Sequence, residues 1–87
     1  MNTLQNMKVL NLSHNCISVI EGMDYLKSLE VLNLQANLIK KISGLSHLGK
    51  LTILSLCENM IESLDGVECV ATLKELYISK NNVRSEH

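Results

Sequence analysis

Residues 29–48 read LEVLNLQANLIKKISGLSHL. Leu32, Asn33 and Leu34 alternate apolar with polar, the period of two that marks a strand with one buried face. Beyond Asn37 the spacing changes. Gly44 stands where the chain must turn, and Leu45 and Leu48 follow three apart, which suits a short 3₁₀ or single helical turn. One strand and one return turn cannot enclose a core by themselves, so the stretch is stable only if copies of it stack.

Copies lie on both sides at a constant step, from Met7 to Leu29, Leu51 and Leu73. The same step links Leu10, Leu32, Leu54 and Leu76; Leu12, Leu34, Leu56 and Ile78; and Ile17, Ile39, Ile61 and Val83. It also links Ile20, Ile42 and Leu64; Gly22, Gly44 and Gly66; Met23, Leu45 and Val67; and Leu26, Leu48 and Val70. Met1 and Leu4 stand one step before Met23 and Leu26. The pattern predicts one domain over residues 1–87, made of a partial repeat 1–6, repeats 7–28, 29–50 and 51–72, and a partial repeat 73–87. The expected architecture is an α/β solenoid, a right-handed coil with a parallel β-sheet on its concave face and short 3₁₀ or helical turns on its convex face. Asn15, Asn37, Asn59 and Asn81 form a polar column where the geometry buries it, just past each strand. An amide offers two donors and an acceptor to the turning peptide groups there, so this column is expected to be structural.

The succession Leu-x-x-Leu-x-Leu-x-x-Asn-x-Ile-x-x-Ile-x-Gly-Leu-x-x-Leu over residues 29–48 resembles the leucine-rich repeat. Its short length and Gly-Leu-x-x-Leu half resemble the subclass named after the nuclear phosphatase regulator Sds22. Within residues 54–79, Leu-Ser-Leu-x-x-Asn, then Leu64, Gly66, Glu68 and Val70, then Thr72, Leu73, Glu75, Leu76, Ile78 and Ser79 resemble the leucine-rich-repeat light chain of axonemal outer-arm dynein. Tyr77 stands where a tryptophan is expected in that light chain. The resemblances imply a scaffold or regulatory subunit whose partner is a motor heavy chain or a phosphatase catalytic subunit, in an axonemal or nuclear setting.

Composition agrees with a stacked aliphatic core. Apolar residues make up 46% of the 87 residues but aromatics 2%, with no Phe, Trp or Pro, so Leu, Ile, Val and Met must fill the interior. A net charge of -1 gives no general attraction for nucleic acid or an anionic membrane, and neither is an expected partner. No basic, then hydrophobic leader follows Met1, and no apolar run is long enough to span a bilayer. Three cysteines without a C-x-x-C pair fit reduced thiols, and the expected location is cytoplasmic.

Recognition on a solenoid belongs to the residues between the buried columns. On the concave face these should be Val9, Val31, Ile53 and Glu75 in one row, Asn11, Asn33, Ser55 and Tyr77 in the next, and Ser13, Gln35, Cys57 and Ser79 in the third. A Val, Val, Ile row in solvent is not required by the fold, although β-branched residues also favour strands for their own sake. Complete burial of the three would contribute about 5 to 9 kcal/mol, less several kcal/mol for association, so the row needs an anchor beside it. Tyr77 is the candidate, with Asn33 and Ser55 nearby for hydrogen bonding. The predicted protein-binding set is Val9, Val31, Ile53, Asn33, Ser55, Tyr77, Gln35 and Glu75.

A further apolar column, Cys16, Leu38 and Met60, suits either partial burial along the rim or an extension of the contact surface. Lys40, Lys41 and Lys50 in one unit face Glu58, Glu62, Asp65 and Glu68 in the next, which predicts surface pairing between coils ahead of steering of a basic partner. His47 and Cys69 share a column with Tyr25, but a convex ridge offers no pocket, orienting carboxylate or oxyanion donor, and His14 with Cys16 makes too few metal ligands. No enzyme, cofactor or metal is expected. Both ends lack an evident cap, which predicts a fragment without a partner of its own, end-to-end self-association, or edges covered in an assembly.

Overall fold

The computed structural model describes residues 6–23 and 26–81. Four short strands, β1 (Val9–Asn11), β2 (Val31–Asn33), β3 (Ile53–Ser55) and β4 (Glu75–Tyr77), form one parallel sheet in the order β1-β2-β3-β4. The register is the sequence step itself: Leu10 pairs with Leu32, Leu32 with Leu54, and Leu54 with Leu76. Each strand lies beside its successor, and the stacked coil expected from the sequence is the one observed.

Hydrogen bonding between coils extends past the strands. Leu12 N–H donates forward to Asn33 O at 2.8 Å, Leu34 N–H to Ser55 O at 2.8 Å and Leu56 N–H to Tyr77 O at 2.7 Å. Farther along, the direction reverses: Leu38 N–H donates back to Ile17 O and Met60 N–H to Ile39 O, each at 2.9 Å. Between the two ladders the chain bends at His14, Ala36, Glu58 and Lys80, which hold φ near 60° (60, 61, 59 and 61). A left-handed non-glycine residue is uncommon, and its recurrence at one repeat position marks the bend as part of the architecture.

The asparagine column spans that bend. Asn59 Oδ1 accepts from Ile39 N–H at 3.0 Å, while its Nδ2 donates to Leu34 O at 2.9 Å, Leu56 O at 3.0 Å and Cys57 O at 3.1 Å. Asn37 bonds in the same way to Ile17 N–H, Leu12 O, Leu34 O and Gln35 O. Each of these amides ties its own coil to the preceding one and supplies partners for peptide groups that the ladders leave over. Asn15 is exposed and, among the described residues, bonds within its own coil, to Leu12 O and Ser13 O.

Leu29, Leu32, Leu34, Ile39, Leu51, Leu54, Leu56 and Ile61 are sealed inside. The return path is built of i to i−3 turns, Leu48 N–H to Leu45 O at 3.1 Å and Leu51 N–H to Leu48 O at 3.3 Å, as the three-residue apolar spacing predicts. Val67–Cys69 is long enough to be a 3₁₀ helix and among the described residues there is no α-helix, so the return path carries the short 3₁₀ turns that the sequence predicts. Leu64, aligned in sequence with buried Ile20 and Ile42, is 39% exposed because no described coil follows to cover it. Met1, Leu4, Tyr25 and Val83 lie outside the described residues.

Candidate protein-binding face

Parallel pairing in register turns sequence columns into rows on the open face of the sheet. Val9 is opposite Val31, Val31 opposite Ile53, and Ile53 opposite Glu75; Asn11, Asn33, Ser55 and Tyr77 align likewise. Side chains two apart on a strand share a face, so both rows lie opposite the buried Leu32 and Leu54. Val9 is 63% exposed, whereas Val31 and Ile53 are half-buried between flanking coils. Gln35, in the third row, is half-buried, and its carbonyl accepts from His14 N–H at 2.9 Å.

Tyr77 keeps 48% of its surface in solvent. Its hydroxyl donates to the carboxylate of Glu75, two residues back on the same strand, rather than reaching Asn33 or Ser55. That hydrogen bond, reinforced by the negative charge of Glu75, raises the phenol pKa above its ordinary 10.0. The pair presents one aromatic edge and one carboxylate at the β4 end of the apolar row.

The asparagines of the middle row are less free than their place in the sequence suggests. Asn33 Oδ1 accepts from Gln35 N–H at 2.9 Å, and Asn11 Oδ1 accepts from Ser13 N–H at 3.0 Å and Ser13 Oγ–H at 2.7 Å. These are Asx turns, which occupy the side-chain oxygens of Asn11 and Asn33. Thr52 Oγ–H donates to Glu30 O at 3.1 Å and Ser79 Oγ–H to Cys57 Sγ at 3.3 Å, further ties between coils. Nothing in the sequence distinguishes an outward Asn that binds its own turn from one that is wholly free.

The rim column is open. Cys16 is exposed, and Leu38 and Met60 are 47% and 41% exposed. The expected pairing between coils is not formed: Lys40, Lys41 and Lys50 make no ion pair with Glu58, Glu62, Asp65 or Glu68, and Glu58 instead meets Lys80 at 3.8 Å. Glu68 accepts from Gly66 N–H at 3.1 Å and so closes its own turn. Cys16, Cys57 and Cys69 are free thiols. Among the described residues no three His, Cys, Asp or Glu side chains come together to hold a metal ion, and no helix is long and apolar enough to cross a membrane.

In-register parallel strands, one per coil, with an asparagine ladder beneath the bend and i to i−3 turns on the return, define the leucine-rich-repeat fold. The family described as Leucine Rich repeats (2 copies) matches residues 5–47. The crystal structure of an internalin from Listeria monocytogenes is similar over 94% of this chain, with a TM-score of 0.84 and 35% sequence identity. The chain spans 24% of the length of that internalin. Comparison with curated proteins gives no match.

Proposed function

We propose that this protein is a non-catalytic scaffold or regulatory subunit that receives a segment of a partner protein on the open face of its sheet. Leucine-rich-repeat domains generally serve protein–protein interaction. The observation that carries this face is the Val9, Val31 and Ile53 row, held in register on β1 to β3 and accessible although nothing in the fold requires apolar side chains there. Tyr77 supplies the amphipathic anchor at one end, with the hydroxyl of Ser55 on the adjacent strand and the amide N–H groups of Asn33 one strand farther along the row. The resemblance within residues 54–79 makes a motor heavy chain the first partner to test and a phosphatase catalytic subunit the second. Free thiols at exposed Cys16 and Cys69 suit a reducing, cytoplasmic compartment.

Affinity capture with crosslinking tests the face directly. Crosslinks from Lys8, Lys74 and Lys80, which border the sheet, are expected, and Val31→Asp should abolish capture with an unchanged circular dichroism spectrum. Undiminished capture by Val31→Asp, or crosslinks confined to Lys40 and Lys50, would place the contact elsewhere.

A further inference from the structure

Leu38 and Lys40 in the second coil stand one step before Met60 and Glu62 in the third. Leu38 and Met60 are among the few large apolar side chains left in solvent, and the backbone beneath them is held in the reversed ladder at 2.9 Å per bond. Lys40, Lys41, Glu62 and Asp65 are all exposed, and none of them forms an ion pair with another of the described residues. One side of the molecule therefore carries a central apolar pair, with positive charge beside it on one coil and negative charge beside it on the next.

Such a pattern is complementary to itself under one operation. We infer that two copies of this chain pair through this side, related by a two-fold axis that lies in the contact plane, between the second and third coils and parallel to the chain path from Leu38 to Lys41. The axis reverses the direction of stacking and exchanges the two coils. Leu38 of one protomer then meets the partner's Met60, Lys40 meets the partner's Glu62, and each contact occurs twice. A two-fold axis along the stacking direction would instead set lysines against lysines and carboxylates against carboxylates, so the charges select the antiparallel arrangement. The apolar area is small, and the expected dissociation constant is on the order of 10 to 1000 µM. This dimer leaves the open face of the sheet free and is independent of the binding proposed there.

Sedimentation equilibrium of the full chain across that concentration range tests the pairing. Lys40→Glu and Glu62→Lys each place like charges opposite one another and should weaken association about tenfold or more, with an unchanged circular dichroism spectrum. An equimolar mixture of the two variants restores opposite charges at both symmetry-related contacts and should recover the wild-type affinity. Leu38→Asp should abolish association, and raising the salt should weaken that of the wild type. A wild-type chain that remains monomeric throughout overturns the inference. So does association insensitive to these substitutions, as end-to-end stacking would be, or a mixture that associates no better than either variant alone.

Discussion

Asn59 and Asn15 occupy the same repeat position and have unlike consequences. Asn59 is buried and makes four bonds to backbone groups, two of them on the preceding coil, through Ile39 N–H and Leu34 O. Removing its amide leaves Ile39 N–H without a partner where water does not enter, which costs about 1 to 3 kcal/mol, and takes one of two bonds from each of Leu34 O, Leu56 O and Cys57 O, which keep Asn37 Nδ2, Asn81 Nδ2 and Ala36 N–H, at about 1 kcal/mol apiece. Allowing for partial relaxation, Asn59→Ala should destabilise the chain by about 3 to 5 kcal/mol, whereas Asn15→Ala, which loses two exposed bonds, should cost about 1 kcal/mol or less. Urea denaturation of both variants checks the contrast in midpoint at constant slope. The ladder was legible in the sequence because a polar residue at a fixed step among apolar columns must be both buried and bonded. The turn bonds of Asn11 and Asn33 were not, since the amino acid is the same and only the side-chain torsion separates a free amide from one folded onto its own turn. The Tyr77 to Glu75 bond is also not dictated by the sequence, because residues two apart on a strand are neighbours on one face whether or not their side chains join.

The return segments depend on how closely one coil approaches the next. Gly44 has φ 73°, and a Cβ on it would collide with the carbonyl oxygen of Ile20 in the preceding coil; Gly66 stands in the same relation to Ile42. Gly22 has φ 76°, but none of the described residues places an atom within 4 Å of where its Cβ would lie. Gly22→Ala therefore meets only the left-handed backbone penalty, about 1 kcal/mol, whereas Gly44→Ala must also push two coils apart and should cost about 3 kcal/mol or more. Denaturant midpoints of the two variants test whether close approach adds to turn geometry. Sequence accounts for the turn, because glycine recurs where the chain reverses, but the collision depends on the distance between coils. The charges of neighbouring units show the same limit: opposite sign at one step predicts proximity, yet Lys40 and Glu62 do not join, because two long solvated side chains gain little from a fixed geometry.

A stack in which each unit touches only its neighbours has a stability that varies along its length. Leu32, Leu34, Leu54 and Leu56 are fully buried between coils on either side, whereas Leu10, Leu12, Leu76 and Ile78, at the same repeat positions in the outer described coils, are half-buried. Beside the first of these coils Met7, Leu10, Leu12, Met23 and Leu26 line a hollow of about 290 Å³ that is open at the surface. Leu54→Ala removes side-chain contacts with two coils and leaves a void, which should cost about 3 to 5 kcal/mol. Leu10→Ala deletes the same atoms at a site already open to water and should cost about 1 to 2 kcal/mol. Native-state hydrogen exchange gives the corresponding profile without mutation. The amide of Leu34, bonded to Ser55 O, should open only with global unfolding, whereas the amide of Leu12, bonded to Asn33 O at the same 2.8 Å, should exchange through fraying of the first coil. Equal protection of the two amides would mean that the coils unfold as a single cooperative block. The gradient also bears on recognition: Val31 and Ile53 stand on the protected centre, while Val9 and Tyr77 stand on the outer strands. A partner spanning β1 to β4 would therefore protect the outer coils most, and exchange at Leu12 should slow more on binding than exchange at Leu34.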